Sequence, residues 1–144
     1  METYNKSPYS QYKNSGRGQQ SHELIVRKFN ARWITHAIDG DCVNFCEEVA
    51  KSMAWVSASL IRNIFGEMKR IEVKGFENCR TDFYLLRPKV AYIVARNQNK
   101  NEAELFAKVY NKMADNVHDN AGFCNLVRMT EAIVAYHKTY SKKD

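Results

Sequence analysis

No apolar run in this chain approaches the roughly 20 residues that a membrane-spanning helix requires, and its N-terminus lacks the apolar core of a signal peptide. These two absences predict a soluble, cytoplasmic protein with no membrane partner. The chain also lacks a C-x-x-C pair: Cys42, Cys46, Cys79 and Cys124 stand apart, which argues against a disulfide framework. Cys42 and Cys46 would be i and i+4 on a helix, but they lie on its apolar stripe and have no second ligand pair. Buried free thiols are therefore expected, with no metal and no cofactor. There is no Gly-rich phosphate loop and no carboxylate cluster of the metal-ion type. Residues 1–21 contain no Leu, Ile, Val, Phe or Trp, so they have little apolar surface to offset the entropy of ordering. They read as a flexible polar tail. Its Tyr4, Tyr9 and Tyr12 offer aromatic faces, but a low-complexity arm requires no ligand. The remaining residues, 22–144, suit one domain with a single modest core.

What is present is helical spacing. From Asp41 onward apolar residues recur at three and four, and no period-two strand emerges. The expected fold is an all-α compact bundle of about five helices. Behind an Asp41 N-cap, Cys42, Phe45, Cys46, Val49, Ala50 and Met53 form one stripe. After a Ser57 cap, Leu60, Ile61, Ile64, Phe65, Met68 and Ile71 form a second. A third helix covers "RPKVAYIVAR", with Leu86, Val90, Ile93 and Val94 inward. A fourth buries Phe106, Val109, Tyr110, Met113 and Val117. The fifth turns Phe123, Leu126, Val127, Ile133 and Val134 inward, with Gly122 breaking the chain before it. Residues 73–84 read as a longer link between otherwise short connections. In "FNARWITHAID" a short helical turn is expected to plug Trp33 and Ile34 into the bundle.

The charge is unevenly placed. The chain holds 22 Lys and Arg against 16 Asp and Glu. Residues 62–100 hold nine basic side chains against four acidic, whereas residues 101–137 hold three against five. Lys89, Tyr92 and Arg96 share a helix face distinct from the inward stripe, and Arg62, Gly66, Lys69 and Arg70 share another. Gly66 costs about 1 kcal/mol relative to alanine in a helix interior. It either lets a phosphate backbone approach or serves helix packing. The local excess favours a polyanion over a merely solvated face, and nucleic acid is the usual one. A metal-free ribonuclease would need a histidine pair. His118 and His137 are the candidates within the bundle proper, but they fall near the ends of successive helices, and antiparallel packing would separate them.

Three segments carry a resemblance. "SASLIRNIFGEMKRIE" (57–72), "LLRPKVAYIVARN" (85–97) and "GFCNLVRMTEAIVAYHKTY" (122–140), in that order and spacing, resemble the small helical subunit of the type III-A CRISPR ribonucleoprotein, the Csm complex. "RWITHAIDGDCVNFCEEVAKSM" (32–53) fits the same family's first segment. The strongest parts run from Ser59 to Arg62, from Arg87 to Tyr92 and from Glu131 to Tyr136. The resemblance covers most of residues 31–144 and excludes the tail, which has no counterpart in the family pattern.

It implies a helical bundle without known catalysis, several copies of which stack inside the complex beside the backbone-forming subunits. The implied partners are crRNA, target RNA, other Csm subunits and further copies of the chain itself. Cleavage and signalling chemistry belong to other subunits. Carried over by motif, the RNA-binding residues are Arg62, Arg87, Lys89 and Arg96, then Lys69, with Lys138 projecting from a different helix. Tyr92 and Tyr136 belong to the motifs, and Tyr136 reads as a packing residue. Phosphate contacts of this kind position an RNA without reading its sequence, and guide–target pairing would read it instead. Two other classes stay open. One is a free-standing, non-specific RNA-binding helical protein or weak metal-independent ribonuclease. The other is an interaction module whose basic face meets acidic protein surfaces.

Overall fold

Asp39, not Asp41, starts the first long helix. Its backbone is extended (φ −129°, ψ −175°) and its carboxylate accepts the Cys42 backbone N–H at 2.9 Å. Asp41 then falls in the first turn, where the helix dipole favours an anion. In the computed structural model, which describes residues 21–142, the elements run as follows. Residues 21–27 form α1. Then come α2 (Arg32–Thr35), α3 (Gly40–Lys51), α4 (Ala58–Lys74), a 3-10 turn (Phe76–Asn78), α5 (Arg80–Arg96), α6 (Lys100–Asp115) and α7 (Asn120–Tyr140). The described residues contain no strand. Apart from Ser21, the expected tail lies outside them.

The short α2 does plug the bundle. Trp33 and Ile34 are buried, and Trp33 packs against Phe29 and Phe45 with ring centroids 5.9 and 5.2 Å away. Asn125 of α7 donates to the Ile34 carbonyl at 3.0 Å and ties α2 to the last helix. The stripes of α3 and α6 are buried as their spacing predicts, whereas Leu60, Phe65, Val94 and Val134 pack only partly against the core. Met53 and Val117 are buried just beyond their helices. Tyr136 packs against the core as expected.

Two boundaries differ from expectation. The helix expected from Arg87 begins at Arg80 and carries Pro88 inside it. A proline in a helix interior removes one hydrogen bond and crowds the carbonyl four residues back, at a cost of about 3 kcal/mol. Here Phe83, Leu86, Val90 and Ile93 form an unbroken buried stripe through it. Each such side chain contributes about 1.5–3 kcal/mol on burial, so the stripe outweighs the proline. The link expected over 73–84 therefore shrinks to Gly75–Cys79. Gly75, at φ 95°, ends α4 in a conformation that favours glycine. Phe76 in that turn is buried between Phe83 and Phe123, each 5.3 Å away between ring centroids. Gly122 does not break the chain either. It lies in the first turn of α7, and its N–H bonds the Asp119 cap at 2.9 Å.

The last helix is the hub. α7 packs on α2, α3, α4 and α6, while α4 also packs on α5, and α5 on α6. The faces of α4, α5 and α7 left outside these contacts carry most of the basic residues singled out above. No helix among the described residues is long and apolar enough to cross a membrane.

Candidate nucleic-acid interface

Basic side chains from α4, α5 and α7 meet on one layer because α4 lies between the other two. Two registers fix it. Lys89 of α5 reaches Glu67 of α4, and Arg62 of α4 shares a groove with Lys138 of α7. That groove has a volume of about 340 Å³ and is floored by Ala58, Ile61, Val134 and His137. Arg62 and Lys138 are exposed, and among the described residues neither makes an ion pair.

Lys69, Arg70, Lys89 and Arg96, the next cations of this layer, have internal partners. Lys69 donates to Glu72 one turn on at 2.7 Å. Glu67 takes two cations at once, Arg70 on its own helix and Lys89 of α5 at 2.9 Å. Arg70 first, then Lys89, holds the Glu67 carboxyl below the usual carboxylate range. With Lys74, Asp82 and Leu85, these residues border a cleft of about 260 Å³. Arg96 lies over the Tyr92 ring, 5.5 Å from its centroid, and donates to the Tyr92 hydroxyl at 2.8 Å. A carboxylate-paired cation can meet a phosphate only by exchanging one anion for another. Arg62 and Lys138 need no such exchange.

Arg87 stands apart from this group. It is two residues from Lys89, hence about 200° away around the helix, and it turns toward α6. There it donates to Asn111 and to Asp115, both at 3.0 Å. The family motif brought Arg87 in with Lys89; the fold turns them to different neighbouring helices.

Gly66 is exposed between Arg62 and Lys69, and a Cβ built on it would meet nothing within 4 Å. Packing among the described residues therefore does not account for the glycine. The same helix face carries Val73, 85% exposed at its far end.

The two histidines cannot serve as one acid–base pair. His137 is buried near the C-terminus of α7, with Nε2 2.9 Å from the Met53 carbonyl oxygen. Burial pushes its pKa down. His118 precedes the N-terminus of the same helix, whose 21 residues span about 30 Å. Cys42 and Cys46 are buried on α3, where a hydrogen bond with Cys42, and then burial, push the Cys46 thiol upward. A thiol in that state is a poor nucleophile and a poor ligand.

Sequence reasoning missed Glu67 as the hub of a charge cluster. Its i,i+3 spacing to Arg70 was a usable signal for half of it. It also missed Tyr84 and Leu85, which are 61% and 50% exposed. Both fall off the inward stripe once α5 is known to start at Arg80.

The Csm2 Type III-A family model matches residues 40–143 of the chain. No curated protein and no solved structure matches it.

Proposed function

Because the chain belongs to the Csm2 type III-A family, whose members are non-catalytic small subunits of the type III-A CRISPR complex, we propose that it holds RNA phosphates in the groove between α4 and α7. It associates with the other Csm subunits, as its family does. The observation that carries the proposal is the convergence of Arg62 and Lys138, from helices far apart in sequence, on one groove without a carboxylate partner among the described residues. Lys69, Lys89 and Arg96 extend the same layer and give a bound strand further positive surface. Arg87 faces α6 and belongs to a separate surface. The RNA is crRNA or its target, and contacts through phosphates suit a subunit that must accept any guide. Further copies of the chain would continue the layer along the complex.

The test is a double substitution, Arg62→Glu with Lys138→Glu. Both side chains are exposed, so stability should move by only about 0.5 kcal/mol per site. Affinity of the assembled complex for RNA should fall equally for unrelated guide–target pairs. If two single-strand contacts vanish, the slope of log K against log salt should flatten by about 1.4, at roughly 0.7 per phosphate. Unchanged affinity and slope in a complex that assembles would remove the groove from the RNA interface. Failure to assemble would assign it to a protein neighbour instead.

A further inference from the structure

We infer that the outer face of α5 is a stacking platform for unpaired RNA bases, centred on Tyr92, an inference that rests on the RNA-binding reading above. The face is unusual for a surface helix. Tyr84, Leu85 and Tyr92 are 61%, 50% and 57% exposed, and Pro88, Ala91 and Ala95 are exposed beside them. The helix is thus apolar on two sides, one buried as Phe83, Leu86, Val90 and Ile93 and one open to solvent.

The charge identifies the occupant. Between Phe83 and Arg96 the helix carries no carboxylate, and beside this face it presents Lys89 and Arg96, while Arg87 turns away toward α6. Glu67 pairs with Lys89 from α4, but among the described residues nothing acidic partners Arg96. The core of a protein interface is depleted of charge. Here cations alternate with exposed tyrosines, which is the arrangement that binds a single strand: positive groups follow the backbone while aromatic rings take the bases. Arg96 strengthens the case at Tyr92. Its guanidinium lies 5.5 Å from the ring centroid and donates to the hydroxyl at 2.8 Å. These contacts hold the ring in place while it remains more than half exposed, and a preordered ring loses less freedom when a base stacks on it. Tyr84 lies eight residues away, about 12 Å along the axis, and provides a second ring on the same side of the bundle. Stacking needs only a π-face, so the platform accepts every base and keeps the subunit indifferent to guide sequence.

The experiment compares two strands of equal length and charge, an unstructured oligouridylate and an abasic phosphodiester strand, bound to the full-length protein at moderate salt. Wild-type protein should prefer the base-bearing strand by about five-fold or more, the lower end of the effect of one stacked base. Tyr92→Leu should sharply reduce the preference and Tyr84→Leu with Tyr92→Leu should abolish it, both leaving abasic-strand affinity unchanged, and Tyr92→Phe should retain it. Photocrosslinking with 5-iodouridine should place a base on Tyr92 in the assembled complex. The inference is overturned if Tyr92→Leu keeps the full preference, if wild-type protein shows none, or if Tyr92→Leu impairs complex assembly with RNA binding unchanged, which would make the face a protein contact. Failure of the underlying reading has a separate signature: binding of the abasic strand that the Arg62→Glu and Lys138→Glu pair leaves untouched.

Discussion

Replacing Glu67 with glutamine is expected to tighten RNA binding without harming the fold. The glutamine keeps the side-chain volume and removes the charge that holds Arg70 and Lys89. The Glu67–Lys89 pair joins α4 to α5, but the two side chains are 31% and 50% exposed, and an ion pair so open to water contributes less than about 1 kcal/mol. The effect on RNA is larger. A phosphate reaching this cleft must displace a carboxylate already seated on both cations, and in Glu67→Gln it need not. If both cations then meet a single strand, the slope of log K against log salt steepens by about 1.4, at roughly 0.7 per phosphate. Fluorescence anisotropy of a labelled RNA titrated with the assembled complex across a salt series measures this. Glu104→Gln, an exposed site on α6, makes the same charge change as a control. The pH dependence has a definite sign. Arg70 and Lys89 depress the folded pKa of Glu67, so the cluster stabilises the protein above about pH 4.3 and loses that contribution as pH falls through the lower folded value. The variant should lack this part of the acid response. An unchanged slope, or equal steepening in Glu104→Gln, would refute the reasoning.

His137 titrates with the same sign in a higher pH window. Burial, with a smaller effect from Arg62, lowers its pKa, so stability is complete above about pH 6.5 and falls as pH drops through that value toward the folded pKa; urea melts of wild type and His137→Gln on either side of this pH should show the slope in wild type only. Gly66→Ala should raise stability by about 1 kcal/mol, because its Cβ enters open space. Gly122→Ala should gain nothing, because its Cβ would press to 3.3 Å from the Asp119 carboxylate oxygen that caps α7. Calorimetry showing equal gains at the two sites would contradict this. Asn125→Ala should cost about 1–3 kcal/mol by stripping the Ile34 carbonyl of its buried donor, and limited proteolysis should detect the loosened α2.

The stripes of α3 and α6 were legible because each helix buries one face, so period alone places Phe45 and Val49, or Phe106 and Val109. α5 was not legible at its start. Pro88 is a strong local stop signal, and only the tertiary fit of Phe83 and Leu86 overrides it. Gly122 misled for a related reason: glycine reads as a break, whereas here it fits tightly beneath the Asp119 cap with Ile34 nearby. For the interface, every cation could be named from sequence, but its pairing could not. Lys89 meets a carboxylate 22 positions away and Arg87 one 28 positions away. No local rule reaches that far, and which cations remain unpaired is decided by those distant contacts.

The central place of α7 governs the order in which the protein can form. Cys46 bonds the Met129 carbonyl across 83 positions, His137 the Met53 carbonyl across 84 and Asn125 the Ile34 carbonyl across 91. The helix that seals α2, α3 and α4 is the last of the described helices to leave the ribosome. Until then the inward stripes of α3 and α4 lack their main cover, and a nascent chain stalled before Asn120 exposes them to solvent and to chaperones. Contacts of such long range also slow folding, since loop closure must precede the gain they bring. Closure of the fold therefore waits on α7, and the layer carrying Arg62 and Lys138 acquires its shape only at that step.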